Sequence, residues 1–171
     1  IIAAPSTAIT EARLIPASIE DDFVHDACAV MPSCMNTNLH PKIMYTPFHG
    51  TGGPLVTRIF KQAQIPLLLS PSQSIMDGNF PTCPRPNPEE INSYASVICD
   101  AQKIGANYIL ANDPDADRIG LLAPQSGYIN ALGNNWKLMT GNDLASLTLD
   151  FLSKLKPTKG VVITTIVTSD F

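Results

Sequence analysis

The chain has 171 residues, 44% of them hydrophobic and 15% charged, enough apolar surface to build a core, which excludes intrinsic disorder and an isolated coiled coil. A formal charge of −4, from 11 Lys plus Arg against 15 Asp plus Glu, lacks the basic field that a nucleic-acid backbone demands, so no nucleic-acid partner is expected. The longest apolar stretches, Ile65 to Leu69 and Gly160 to Val167, fall well short of the roughly 20 residues that cross a bilayer, so no membrane partner is expected either.

The opening Ile1-Ile2-Ala3-Ala4-Pro5 has neither a Met nor a basic flank and reads as the interior of a longer chain instead of a signal peptide. Cys28, Cys34, Cys83 and Cys99 form no Cys-x-x-Cys pair and have no His at zinc spacing. They read as reduced thiols, in keeping with a cytoplasmic setting.

Ser18-Ile19-Glu20-Asp21 offers an N-cap with acids in the first turn, and Phe23, Ala27 and Val30 follow at helical spacing, which predicts a helix over 18–30. Lys42 to Thr46 reads as a buried strand, Pro47 to Pro54 as a glycine-rich turn, and Leu55 to Ala63 as the helix it opens. Pro66 to Ser70 is a second short strand, and residues 76–88, dense in Pro and Gly, are loop. The next helix is predicted to start at Pro88-Glu89-Glu90, to bury Ile91, Tyr94, Ala95, Ile98 and Ala101, and to stop at Gly105. Strands follow at Tyr108 to Ala111 and Ile119 to Ala123. Gly127 to Asn135 reads as a linker, and Thr140-Gly141-Asn142-Asp143 caps a helix to about Leu155 that leads into a strand over 161–167. The order predicts an α/β fold, a three-layer arrangement of a mixed, mostly parallel sheet flanked by helices, over residues 1–133. Residues 134–171 are read as a truncated second α/β unit, since one helix and one strand cannot bury their apolar faces alone.

The sharpest chemical feature is Asn112-Asp113-Pro114-Asp115-Ala116-Asp117-Arg118, three alternating carboxylates leaving a strand. In open α/β sheets ligands gather at the carboxyl ends of strands, and three like charges repel unless a cation joins them. Three oxygen donors suit a hard divalent ion such as Mg²⁺, with Arg118 beside it to grip a phosphate. A solvated acidic turn is the alternative. A calcium EF-hand is excluded because its sixth and twelfth positions, here Arg118 and Pro124, must be Gly and Glu. Asp113 and Asp115 also match an aspartate-nucleophile phosphatase, Asp113 attacking phosphorus and Asp115 donating a proton, and a non-catalytic cation-binding module is a further reading. His49, Asp77 and Asn79 read as turn residues, and nothing in the sequence places Lys42 or Lys137 at a phosphate.

The segment Asp113-Pro-Asp115-Ala-Asp117-Arg118 resembles the metal loop of the α-D-phosphohexomutases, the phosphoglucomutase and phosphomannomutase family. Tyr45-Thr46-Pro47-Phe48-His49-Gly50-Thr51-Gly52 resembles that family's Thr-Pro-x-His-Gly-x-Gly turn. Asp77-Gly78-Asn79-Phe80-Pro81 with Asn87-Pro88-Glu89 resembles its Asp-Gly-Asn-Phe-Pro segment. The wording is closest to the phosphoglucomutase/phosphopentomutase branch. The resemblance implies that Asp113, Asp115 and Asp117 ligate Mg²⁺ and that Asp117 and Arg118 face the substrate. Arg118 then acts catalytically by steadying a phosphoserine or a sugar bisphosphate, the activator and intermediate. The implied partners are a phosphosugar and the missing domains of the same enzyme, because the chain matches only the family's second domain and the start of its third. No serine here precedes a histidine, so the family's Ser-His-Asn-Pro nucleophile is absent, as is its sugar-recognition loop. The 171 residues alone are expected to bind metal weakly, if at all, and to show no mutase turnover.

Overall fold

The computed structural model describes residues 14–30, 41–155 and 161–163. The chain divides into two compact units, Ile1–Met35 and Asn36–Phe171.

The described part of the first unit is a helix, α1 (Ala17–Ala29). It begins one residue before the predicted cap, with Pro16 at the cap position and no side-chain capping bond. The fixed φ of proline is compatible with a helix start, so Ser18 falls inside the first turn. The predicted face is also corrected. Phe23 and Val30 are exposed, and Val24 is the buried residue of α1.

In the second unit the sequence alternates β1 (Ile43–Thr46), α2 (Gly53–Gln62), β2 (Leu67–Leu69), α3 (Ala95–Ile104), β3 (Tyr108–Asn112), β4 (Ile119–Pro124), β5 (Trp136–Met139) and α4 (Gly141–Leu155). The strands form one sheet in the order β2-β1-β3-β4-β5. β1 pairs in parallel with β2 and β3, and β4 runs antiparallel to both β3 and β5. The fold is therefore a mixed α/β sheet with one reversed strand. That reversal follows from the loop between β3 and β4, which is too short for the crossover of a dozen or more residues that a parallel neighbour needs.

Central β1 is buried along Met44, Tyr45 and Thr46, as expected of a strand covered on both faces. Met44, Ile109, Leu122 and Leu138 lie side by side across four strands. With Val97, Ile98 and Ala101 of α3, and with Phe48, Tyr94 and Trp136, they belong to one hydrophobic cluster. The fully buried Met, Val, Ile, Leu and Phe side chains among them contribute about 1.5–3 kcal/mol each. Phe48 meets Tyr94 edge-on, with ring centroids 5.0 Å apart.

Helix α3 enters later than Pro88. A tight single turn over Ile91–Tyr94 precedes it, and the three-per-turn winding of that segment rotates the face, so Val97 is buried and Ala95 is exposed. Gly105 ends the helix at φ +63°, the left-handed conformation that glycine adopts without steric cost. On α3 the Asp100 carboxylate accepts from Ser70 Oγ at 2.9 Å and Ser72 N at 3.1 Å, tying the exit of β2 to the helix. Burial alone raises that carboxyl, but the Ser72 and Ser70 bonds hold it below the usual range.

Residues 127–135 are turn-rich as predicted, yet they lead into a strand, β5, that the sequence does not foreshadow. Helix α4 is capped as expected: Asp143 N donates to Thr140 Oγ1 at 3.2 Å and Thr140 N donates to Asp143 Oδ2 at 2.9 Å, a reciprocal capping box. Residues 161–163 are not in a strand, and the rest of the strand predicted over 161–167 lies outside the described residues.

Candidate metal centre

From β1 the chain crosses through α2 to β2 on one side, then returns through α3 to β3 on the other side of β1. The carboxyl ends of β1 and β3 therefore flank the point where strand order reverses, the crevice in which open α/β sheets bind ligands. Residues 47–52 leave β1 there, and residues 113–118 leave β3.

The second loop is pinned at both ends. Asn112 Nδ2 donates to the Arg118 carbonyl at 2.6 Å while its Oδ1 accepts from the Tyr45 hydroxyl at 3.2 Å. Within the turn Ala116 N donates to the Asp113 carbonyl at 3.0 Å, and Ala116 adopts φ +62°, a conformation that costs a non-glycine residue about 1 kcal/mol. Strain of this kind persists only where the surroundings over-determine the backbone. The result is that carboxylate oxygens of Asp113, Asp115 and Asp117 all lie within 4.8 Å of one another.

These three acids are not equivalent. Asp113 is 1% exposed, and both its oxygens accept from Arg118: Oδ1 from the backbone N–H at 2.9 Å and Oδ2 from Nε at 2.6 Å. Burial raises this carboxyl, but the Arg118 backbone and side-chain bonds outweigh it and hold the group below the usual carboxylate range. Asp115 and Asp117 are exposed. Asp117 is pushed upward by sharing a hydrogen bond with Asp113 and by the charges of Asp113 and Asp115. Arg118 is raised in turn by Asp113. Its guanidinium is half-exposed and is held by Asp113 at Nε.

The first loop is built against the second. A Cβ on Gly50 would stand 2.1 Å from Pro114 Cα, so only glycine lets the two backbones approach. Thr51 N and Oγ1 both donate to the Pro114 carbonyl, at 2.8 and 3.0 Å. Phe48 and His49 take φ +46° and +64°. His49, buried, donates from Nδ1 to the Ile75 carbonyl at 2.8 Å and pairs through Nε2 with the Thr82 hydroxyl at 2.9 Å. Its carbonyl accepts from Asp77 N at 3.0 Å. Asp77 Oδ1 in turn accepts from Asn79 N at 2.9 Å, an Asx turn. These three residues thus brace the loops, in line with the turn roles read from the sequence.

The structure brings Asp113, Asp115, Asp117 and Arg118 together. It leaves the two lysines elsewhere: Lys42 immediately precedes β1, at the far end of the sheet, and donates to the Ile104 carbonyl at 3.2 Å, and Lys137 pairs with Ala123 on β5. Three residues of the site have no role that the sequence alone suggests. Tyr45 and Asn112 lock the loop, and Asn87 Oδ1 accepts from Arg118 Nη1 at 3.2 Å. Asn87 stands 31 residues from its partner, a separation for which neither periodicity nor local spacing offers a signal.

The family model for the phosphoglucomutase/phosphomannomutase alpha/beta/alpha domain II matches residues 21–127. Human phosphopentomutase is 33% identical over 134 residues, which cover 77% of this chain and 21% of that protein. The phosphoglucomutase of Staphylococcus haemolyticus is 27% identical over 156 residues, 90% of this chain and 27% of the other. The glucose 1,6-bisphosphate synthase of Pongo abelii is 36% identical over 115 residues, 66% and 18% respectively. Among solved structures, a phosphoglucomutase/phosphomannomutase family protein from Burkholderia thailandensis aligns with a TM-score of 0.62 at 21% identity, over 80% of this chain and 26% of that one. That likeness is one of fold. The chain spans about a fifth to a quarter of the length of these curated relatives.

Proposed function

The chain belongs to the phosphoglucomutase/phosphomannomutase family, and on that premise we propose that residues 113–118 form the Mg²⁺ and phosphate site of a sugar phosphomutase. The reaction class is transfer of a phosphoryl group between the 1-position and the terminal hydroxyl of an aldose phosphate, a hexose or a pentose. The observation that carries this reading is three carboxylate oxygens within 4.8 Å of one another beside a guanidinium anchored by a buried carboxylate. The donor set fits the ion: all three ligands are hard oxygens, and two of them, on Asp115 and Asp117, are exposed.

Asp113, Asp115 and Asp117 would hold Mg²⁺, which supplies a positive charge that withdraws electron density from a phosphoryl oxygen. Arg118 binds and orients: Asp113 fixes its Nε edge, and the N–H groups left over would grip phosphoryl oxygens. The charge it offers is permanent, because Asp113 raises an already high pKa. Gly50, Thr51 and His49 hold the loop where Arg118 can reach a substrate. The phosphoserine, the sugar-recognition loop and the other phosphate contacts come from parts of the enzyme beyond this chain. The phosphoryl group leaves that serine for a sugar hydroxyl, and the resulting sugar bisphosphate returns its other phosphate to the serine. Such an enzyme works in the cytoplasm, where its thiols stay reduced. Among the described residues no helix is long and apolar enough to cross a membrane.

The geometry favours this reading over an aspartate-nucleophile phosphatase. The nucleophile that chemistry requires, Asp113, is 1% exposed with both oxygens engaged by Arg118. A ligand needs only one remaining lone pair, whereas attack on phosphorus needs an open line of approach.

The test is Asp115→Asn in the enzyme that carries this chain. The substitution removes a charged ligand that is exposed, so turnover is expected to fall by about 100-fold or more with the melting temperature unchanged. Undiminished turnover would overturn the metal assignment.

A further inference from the structure

Arg118 is anchored on two sides. Its Nε is held by Asp113 Oδ2 at 2.6 Å and its Nη1 by Asn87 Oδ1 at 3.2 Å. Asp113 alone fixes one edge of the guanidinium but leaves the plane free to swing about that edge. A second acceptor at Nη1, supplied by a separate loop, removes the swing. We propose that Asn87 is the positioning residue that sets the direction in which the unspent N–H groups of Arg118 point, and hence the fit of this site to phosphoryl oxygens. The inference rests on the phosphate-binding role of Arg118 given above.

Asn87 is itself held from several sides. Its Oδ1 also accepts from Glu89 N at 3.0 Å, and its Nδ2 donates to Glu90 Oε1 at 3.3 Å. Its backbone N donates to the Arg85 carbonyl at 2.9 Å and to Ser93 Oγ at 3.3 Å, and Ser93 Oγ donates to the Arg85 carbonyl at 2.7 Å. The amide orientation follows from its partners, since two donors face Oδ1 and a carboxylate faces Nδ2. Ser93 is buried and precedes Tyr94, whose hydroxyl donates to the Pro88 carbonyl at 2.9 Å. The acceptor offered to Arg118 is therefore built on the core beneath α3, independent of the loop that carries Arg118. An asparagine suits the position because it accepts without adding another negative charge to a loop that already has three carboxylates. Arg118 thus keeps its net attraction for an anion.

Two substitutions separate positioning from a local turn role. Asn87→Ser keeps an acceptor close enough for the Glu89 N–H but is one bond too short to reach Nη1. Asn87→Asp keeps both acceptor contacts, and Glu90→Gln is paired with it so that an amide, not a second carboxylate, faces the new oxygen where Nδ2 donates to Glu90 Oε1. The probe is inorganic phosphate titrated, in the presence of Mg²⁺, into the enzyme that carries this chain, followed by the Arg118 Nε–H resonance, with Arg118→Ala to assign that resonance and a melting curve for each variant. Asn87→Ser is expected to weaken phosphate binding about 5- to 10-fold and to move the Nε–H resonance in the free protein, with the melting temperature little changed. Asn87→Asp paired with Glu90→Gln is expected to stay within about threefold of the unsubstituted enzyme, because both contacts to Oδ1 are retained and the net charge is unchanged.

A phosphate titration at the Arg118 resonance that is the same in Asn87→Ser as in the unsubstituted enzyme would overturn the positioning role and leave the phosphate role standing. Equal losses in Asn87→Ser and in Asn87→Asp paired with Glu90→Gln, both with lowered melting temperatures, would likewise overturn it in favour of a turn role. An Arg118 Nε–H resonance that phosphate leaves unmoved in the unsubstituted enzyme would overturn the phosphate role and the inference together.

Discussion

Replacing Asp113 with alanine is expected to abolish metal binding and to destabilise the fold, whereas Asp115→Asn does only the first. The difference lies in burial. Asp113 is 1% exposed and accepts two hydrogen bonds from Arg118, so its removal leaves a backbone N–H without its acceptor and the guanidinium without its nearest carboxylate. Such losses cost about 1–3 kcal/mol, and the lower half of that range applies because the half-exposed guanidinium of Arg118 can turn to water. The effect has a pH signature. The folded-state pKa of Asp113 is depressed, so its contribution is fully present above the unfolded value of about 3.9 and is lost as pH falls through the lower folded value. Melting curves of the two proteins should therefore converge below about pH 4. Mn²⁺, added to the labelled enzyme that carries this chain, is expected to broaden the amide resonances of residues 112–118 and to leave those of Asp113→Ala untouched. Retained broadening in Asp113→Ala, or identical stability at neutral pH, would contradict the account.

Gly50→Ala is expected to have the second-largest effect, although Gly50 carries no chemistry. Its added methyl would stand 2.1 Å from Pro114 Cα and 2.4 Å from the Pro114 carbonyl oxygen. Both are backbone atoms, so no side chain can move aside. Overpacking of this kind costs about 1–3 kcal/mol, sometimes more, and the strain relaxes by pushing the 113–118 loop off the turn that supports it. Stability and metal-induced broadening should fall together. Gly53→Ala is the control: its methyl would meet nothing nearer than Pro47 Cγ at 3.7 Å, an ordinary contact, and both readouts should be preserved. A Gly50→Ala protein with unchanged melting and unchanged Mn²⁺ response would show that the two loops are not mechanically coupled.

Much of this arrangement is legible in the residues themselves. Local signals work where the structure is locally determined. Gly105 marks a helix end because its left-handed conformation suits glycine, and Thr140 with Asp143 marks a helix start because each side chain satisfies the other's backbone N–H. The acidic loop is legible as a cluster because three alternating carboxylates on one tight turn must lie close together, as those of Asp113, Asp115 and Asp117 do. The signals fail where pairing across the fold decides the outcome. Trp136–Met139 is a strand because β4 offers it an edge, not because its four residues favour one. Val97 replaces Ala95 on the buried face of α3 because a tighter turn precedes the helix, a change of phase that a uniform period cannot express. The contact between Asn87 and Arg118 joins two loops from different elements, and residues in loops carry no periodicity from which such a meeting can be read.

The measurement that tests the central claim most directly is anomalous diffraction from a crystal of the enzyme that carries this chain, soaked in Mn²⁺ as a surrogate for Mg²⁺. The account predicts a single strong peak bounded by carboxylate oxygens of Asp113, Asp115 and Asp117, with Arg118 still paired to Asp113. Density that shows no ion there, with Asp115 and Asp117 turned away from Asp113 into solvent, would contradict it.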